Sequence, residues 1–223
     1  MLNVKLKPGN VINLIKSLLL GSVLTAMTAA AHAATISGGF AANNGLNGNA
    51  FDIQIGPQDI TLTDVDLAFS VSGTADVQFW IRPGSYVGTL DSSTGWTLAD
   101  SITGLLSPGR NDPVAWDVAD QVFSAGQTYG LFFLRTSGNS LRGYQNGSGA
   151  IGDAWVSNAD ISIFQGQGVG TPGFGGSLFS PRNFSGSLTY DVAPMSAVPI
   201  PASLPLLAGA MGLFGLWRRR RAA

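Results

Sequence analysis

The residues of this chain able to carry proton-transfer or nucleophilic chemistry are few, and their positions limit what it can do. Histidine occurs once, at His32; cysteine and glutamate do not occur; the three lysines are Lys5, Lys7 and Lys16. Ser-His-Asp and Cys-His catalysis, a Ser-Lys dyad and zinc held by His or Cys each need a residue type that the chain lacks beyond residue 33. The carboxylates remain, all 13 of them Asp, spread from Asp52 to Asp191. A pair of Asp carboxylates can run glycoside hydrolysis or aspartic proteolysis. Asp64 and Asp66 are two residues apart and share one face of a strand, and the spacing of Asp117 and Asp120 places them on either side of a turn. Neither spacing is distinctive, since such pairs are ordinarily solvated faces or turn residues. The chain therefore reads as a non-enzyme with no catalytic residue, and an Asp-dependent glycosidase is the catalytic alternative.

Binding is the stronger rival. A sugar ring offers an apolar C–H face fringed by hydroxyls, which an exposed aromatic ring flanked by Asp, Asn, Gln or Arg complements. Trp80, Tyr86, Trp96 and Trp155 are the candidate platforms, with Trp116 and Tyr144 as further aromatics in a chain rich in Asn, Gln and Asp. Trp80 stands out because Val77, Phe79 and Ile81 alternate away from it. The competing reading is ordinary core packing of aromatics. No cofactor is expected. Calcium is the one metal that Asp carboxylates and loop carbonyls could hold, yet Asp52, Asp59, Asp153 and Asp160 follow no EF-hand spacing and read as turn caps.

The elements that must position these residues follow from composition and period. Between residues 34 and 191 five arginines face 13 aspartates, a balance of −8 with no lysine. Such a surface repels polyphosphate, which excludes nucleic acid as a partner. Asp is a turn residue and a poor strand former, so it marks loops. Asp76–Arg82 alternates as a half-buried strand; Val65, Leu67, Phe69 and Val71 share a face, with Ile60 and Leu62 in the opposite phase, so Thr63-Asp64 marks a bulge or a crossing between sheets. Leu131–Leu134 is apolar on both sides, as in a central strand. Phe184 to Asp191 alternates as one last strand, and Ala50–Ile55, Trp96–Asp100, Val114–Val118 and Ile161–Phe164 add more. Eight to ten short strands with turn-rich connections predict an all-β fold, an antiparallel β-sandwich with the jelly roll as a variant. The glycine-rich stretch from Gly166 to Gly176 reads as a long loop.

Both ends carry sorting patterns. Lys5, Lys7 and Lys16 precede an uncharged stretch from Ser17 to Ala31, and Ala31-His32-Ala33 before Ala34 is the small-x-small pattern cut by signal peptidase. The alternative is a retained N-terminal anchor. Near the other end stand Val198-Pro199-Ile200-Pro201, an apolar run of 16 residues from Ala202 to Trp217, and Arg218, Arg219, Arg220 and Arg221. The run is at the short end for a membrane span, Gly209, Gly212 and Gly215 leave a smooth helix face, and the arginines hold their end in the cytoplasm. A buried C-terminal helix with a basic tail is the alternative. The predicted organisation is signal peptide 1–33, ectodomain 34–191, linker 192–197 and sorting segment with transmembrane helix 198–221.

Residues 198–221 resemble the sorting signal of the PEP-CTERM proteins, with Val198, Pro199 and Pro201 matching the Val-Pro-Glu-Pro signature and Ile200 standing where Glu is usual. A weaker likeness covers Asn49–Ile53, Arg82–Tyr86, Gly95-Trp96 and Ala125–Tyr129. The resemblance implies an exported protein of an exopolysaccharide-producing Gram-negative bacterium, recognised by an exosortase near Pro199–Pro201. The precursor would be anchored in the inner membrane by its C-terminal helix, and the product would reach the cell surface or the medium. The family implies no settled biochemical activity. The expected function is thus a surface or matrix protein working within exopolysaccharide and biofilm, with a carbohydrate-binding module as the alternative.

Overall fold

The period-two alternation is realised as strands throughout. The computed structural model describes residues 32–42 and 44–194, and among them it contains fourteen strands and no helix. They are β1 (His32–Gly39), β2 (Asn44–Leu46), β3 (Gly48–Ile55), β4 (Ile60–Leu67), β5 (Gly73–Pro83), β6 (Thr97–Ser107), β7 (Val114–Phe123), β8 (Thr128–Gly138), β9 (Arg142–Asn146), β10 (Ala154–Ser157), β11 (Ile161–Phe164), β12 (Gly166–Val169), β13 (Leu178–Phe184) and β14 (Gly186–Val192). Every ladder between them is antiparallel. Four strands form a sheet in the order β1-β14-β4-β7, and a ten-stranded sheet runs β2-β9-β13-β12-β3-β8-β5-β6, with β11 pairing to β3 and β10 to β11.

One apolar cluster joins the two sheets. Ile36, Leu62, Val65, Trp116, Leu188 and Tyr190 come from the four-stranded sheet, and Phe51, Phe79, Leu131, Phe133 and Phe184 from the other. Phe79 and Phe133 stack at 4.6 Å with planes 8° apart, and Phe51 meets Phe184 at 4.6 Å, so offset aromatic pairs fill the centre. The phase change at Thr63 is a bulge: Leu62 pairs with Tyr190 and Asp64 with Thr189, leaving Thr63 as the extra residue. It brings Ile60 and Leu62 onto the same buried face as Val65 and Leu67. Beyond Leu67 the expected alternation ends, and Val71 is exposed. Asp117 and Asp120 do not flank a turn but lie inside β7, where Val118 to Asp120 stand opposite Thr63 alone.

Two further expectations are corrected by close approach of backbone. The stretch after Gly166 opens with a strand, β12, because its glycines let neighbouring chains come near: a side chain at Gly166 would run into the Ala50 carbonyl, and one at Gly168 into Leu46. Phe184 to Asp191 is not one strand, since the chain changes sheet at Ser185, with Phe184 closing β13 and Gly186 opening β14. Arg142, fully buried, clamps this crossing by donating to the Ala68 and Ser185 carbonyls. Its guanidinium lies 5.6 Å from the Phe69 ring centroid, and burial pushes its pKa down to about 9.

The boundaries shift slightly. β1 begins at His32, two residues before the predicted start of the ectodomain, and β14 includes Val192, the first residue of the predicted linker. Ala193 donates its N–H to the Asp59 carbonyl at 2.9 Å. The signal peptide up to Ala31, the sorting motif Val198–Pro201, the apolar helix and Arg218–Arg221 lie outside the described residues.

Candidate functional site

The outer face of the ten-stranded sheet gathers three of the four predicted platforms. Alternation on β5 sends Gln78, Trp80 and Arg82 outward while Val77 and Phe79 enter the core. There Trp80 joins Tyr86, Leu90, Trp96, Phe132, Leu134, Val169 and Phe174 in a second apolar cluster beneath the loops 84–96 and 170–177. Tyr86 is 1 % exposed and Trp96 7 %, so neither is a surface platform. The Trp96 indole N–H donates to the Thr89 carbonyl at 3.1 Å, and the Arg82 guanidinium sits 5.7 Å from its ring centroid. Trp80 is half-buried; its N–H donates to Gln78 Oε1 at 3.0 Å.

Phe174, which sequence reasoning missed, completes the cluster. Its ring meets Trp80 edge-on at 5.3 Å and 88°, Phe132 at 5.3 Å and 77°, and Trp96 at 5.9 Å. The only signal was one large apolar residue among the glycines from Gly170 to Gly176. Gly175, at φ +79°, makes the turn after it, and its N–H donates to the Leu90 carbonyl at 2.8 Å. Trp155 stands apart: it lies on β10 and packs half-buried against the inter-sheet core, beside Gly38 of β1. Trp116 and Tyr144 are buried.

Asp52 fastens the start of the covering loop. It accepts from Ser85 Oγ at 2.6 Å and from the Tyr86 N–H at 2.9 Å. Burial raises its pKa from the ordinary carboxylate value, against the lowering effect of the Ser85 and Tyr86 hydrogen bonds and of Arg82. The Tyr86 phenol is pushed up by burial and by the nearby Asp52 charge. The other Asp residues weighed as calcium ligands hold the chain in the same way: Asp59 accepts from the Ala125 N–H, Asp153 from the Ala150 N–H and Asp160 from the Tyr190 hydroxyl. Among the described residues no group of three His, Cys, Asp or Glu converges on one point.

Asp64 and Asp66 do share one face of β4, and Asp64 faces Asp117 directly across the ladder. Asp66 accepts from Ser187 Oγ at 2.6 Å and Asp64 from Thr63 Oγ1 at 2.8 Å. These carboxylates lie on the open outer face of the four-stranded sheet among Thr35, Ser187 and Thr189. An open pocket of about 210 Å³ lies elsewhere, lined by Gln54, Ile55, Gly56, Asn158, Ala159, Ile161 and Ser162, with no acid or base among them.

Of the predicted processing residues, Ala33 and Ala34 fall within the described residues and lie in β1. His32 pairs with Val192, Ala33 with Asp191 and Ala34 with Tyr190, so the chain enters and leaves the sheets side by side. No family model, curated protein or solved structure matches this chain.

Proposed function

We infer that the chain is a non-enzymatic exported protein of the cell surface or extracellular matrix. Its tail addresses it to an exosortase-type system, and it works within exopolysaccharide and biofilm. The observation carrying this reading is the succession, in the sequence, of Val198-Pro199-Ile200-Pro201, an apolar run and four arginines. The pairing of His32 with Val192 supports it, because the leader and tail of such a precursor would leave the folded part together. Within this reading the two sheets form a sandwich, supported by the single cluster drawn from both. The jelly-roll variant draws support from the first and last strands lying side by side. Intact mass of the protein recovered from envelope and medium of its native host tests the proposal. A product from Ala34 to near Pro201 is expected, and one still carrying Arg221 would make it a permanently anchored protein. Pro199→Ala with Pro201→Ala should leave a larger, membrane-retained form.

The second reading, a carbohydrate-binding module, draws on Trp80, which points outward from its strand, stays half-exposed and has Gln78 bonded to its indole. Binding to a glycan array that disappears in Trp80→Ala would favour it, and unchanged binding would remove Trp80 from the site.

A further inference from the structure

The bond assigned to leader removal, between Ala33 and Ala34, lies inside β1. Its two residues are in register with Asp191 and Tyr190 of β14. β1 is the outermost strand of its sheet and takes its ladder there from β14. The two strands are far apart in the chain: the Thr35 and Thr189 hydroxyls that meet at 3.0 Å are 154 residues apart. A peptidase acts on a segment drawn into its cleft as extended chain, with that segment's backbone hydrogen-bonding groups free to pair with the enzyme. A bond already held in a ladder is reached only through the opened state, and its hydrolysis follows the population of that state.

We propose that leader removal precedes the docking of β1 onto β14, so that the Ala33–Ala34 bond is a substrate only while the last described strand has not closed the four-stranded sheet. The inference rests on the leader reading and adds an order of events to it. The reaction is hydrolysis: water adds across the amide, Ala33 leaves with a new carboxylate and Ala34 keeps a new α-ammonium. On a chain exported N-terminus first, β1 finds its partner only when residues 186–192 have followed it, so the bond stays accessible for the passage of nearly the whole domain. The cut takes His32 and Ala33, both exposed, and spares Ile36, which is 5 % exposed and anchors β1 in the inter-sheet core. Trimming therefore leaves the strand able to dock. A chain that docks first keeps its leader.

The test uses the full-length chain, unfolded in urea. One portion is diluted straight into detergent buffer containing purified bacterial signal peptidase, and another is refolded before the enzyme is added; the rate of appearance of an Ala34 N-terminus is followed. The refolded portion should be cut at least about tenfold more slowly. Ile36→Ala leaves Ala31 and Ala33 untouched and loosens β1, so it should restore much of the rate in the refolded portion without changing the rate in the directly diluted one. Equal rates for the two wild-type portions would overturn the proposal, whether or not Ile36→Ala folds. If neither portion is cut and the host product still begins at Met1, the leader reading itself fails and takes this inference with it.

Discussion

The two sheets turn outer faces of very different character to their surroundings, although both are built on the same alternation. On the four-stranded sheet the outward residues form rows of Thr35, Thr189, Asp64 and Asp117, and of Ser37, Ser187, Asp66 and Ala115, and they are mostly polar, with Ala115 and the exposed Val122 the apolar members. On the ten-stranded sheet the outward residues include Trp80 and Phe132, and the loops 84–96 and 170–177 fold over them to make a second core. Alternation decides which residues share a face. What covers that face decides whether an outward aromatic is a binding platform or a packed side chain.

The comparison is broken most severely at Phe132, which is fully buried beneath the loops. Phe132→Ala should cost about 3–5 kcal/mol in urea denaturation. The outward Thr189→Ala on the other sheet should cost well under ~1 kcal/mol. Equal losses would mean that the two outer faces are not different in kind. Phe174→Ala comes next, at about 1–2 kcal/mol for a half-buried ring, with red-shifted tryptophan fluorescence as Trp80 and Trp96 gain water. An unshifted spectrum would show that Phe174 does not cover them.

The acid response separates the faces more finely. Folding raises the Asp52 pKa through burial, so the folded state holds that proton more tightly than the unfolded chain does. Its contribution to stability is full below the ordinary carboxylate range and is lost as pH rises through the raised value. Asp52→Asn should therefore gain on the wild type as pH rises from the ordinary carboxylate value through the raised one, measured as denaturation midpoints across a pH series. A difference independent of pH would exclude Asp52 as its source. Asp76 has the opposite sign: the Ser137 hydroxyl and then the Gly104 N–H lower its pKa, and its contribution is lost as pH falls through the lowered value. The smallest effect is expected on the open face, where Asp117→Asn relieves the like charges of Asp64 and Asp117. It should raise the midpoint slightly at low salt and not at high salt.

Much of the strand pattern was legible because it depends on near neighbours in the chain. Val77 and Phe79 inward, Trp80 outward, the doubly covered Leu131–Leu134 and the irregularity at Thr63 all follow from period two. The glycine-bearing strands β2, β9 and β12 were not legible, because the glycines that weaken a local strand signal are there to admit Ser70, Ala42 and the Ala50 carbonyl respectively. The candidate site was legible in part. Trp80, Tyr86 and Trp96 were named and do come together, but their covering depends on loops whose path no local pattern encodes.

The amino-acid sequence by itself determined the absence of imidazole, thiol and lysine-amine chemistry after residue 33, the acidic balance, the alternating elements and the apolar and basic runs near both ends, since these are properties of residue type and spacing. Only the tertiary structure decided that Asp64 faces Asp117, that Phe174 caps Trp80 and that the Ala33–Ala34 bond sits in a ladder with β14. Each joins residues that are distant in the chain, and such contacts form only when the sheets bury their shared apolar faces.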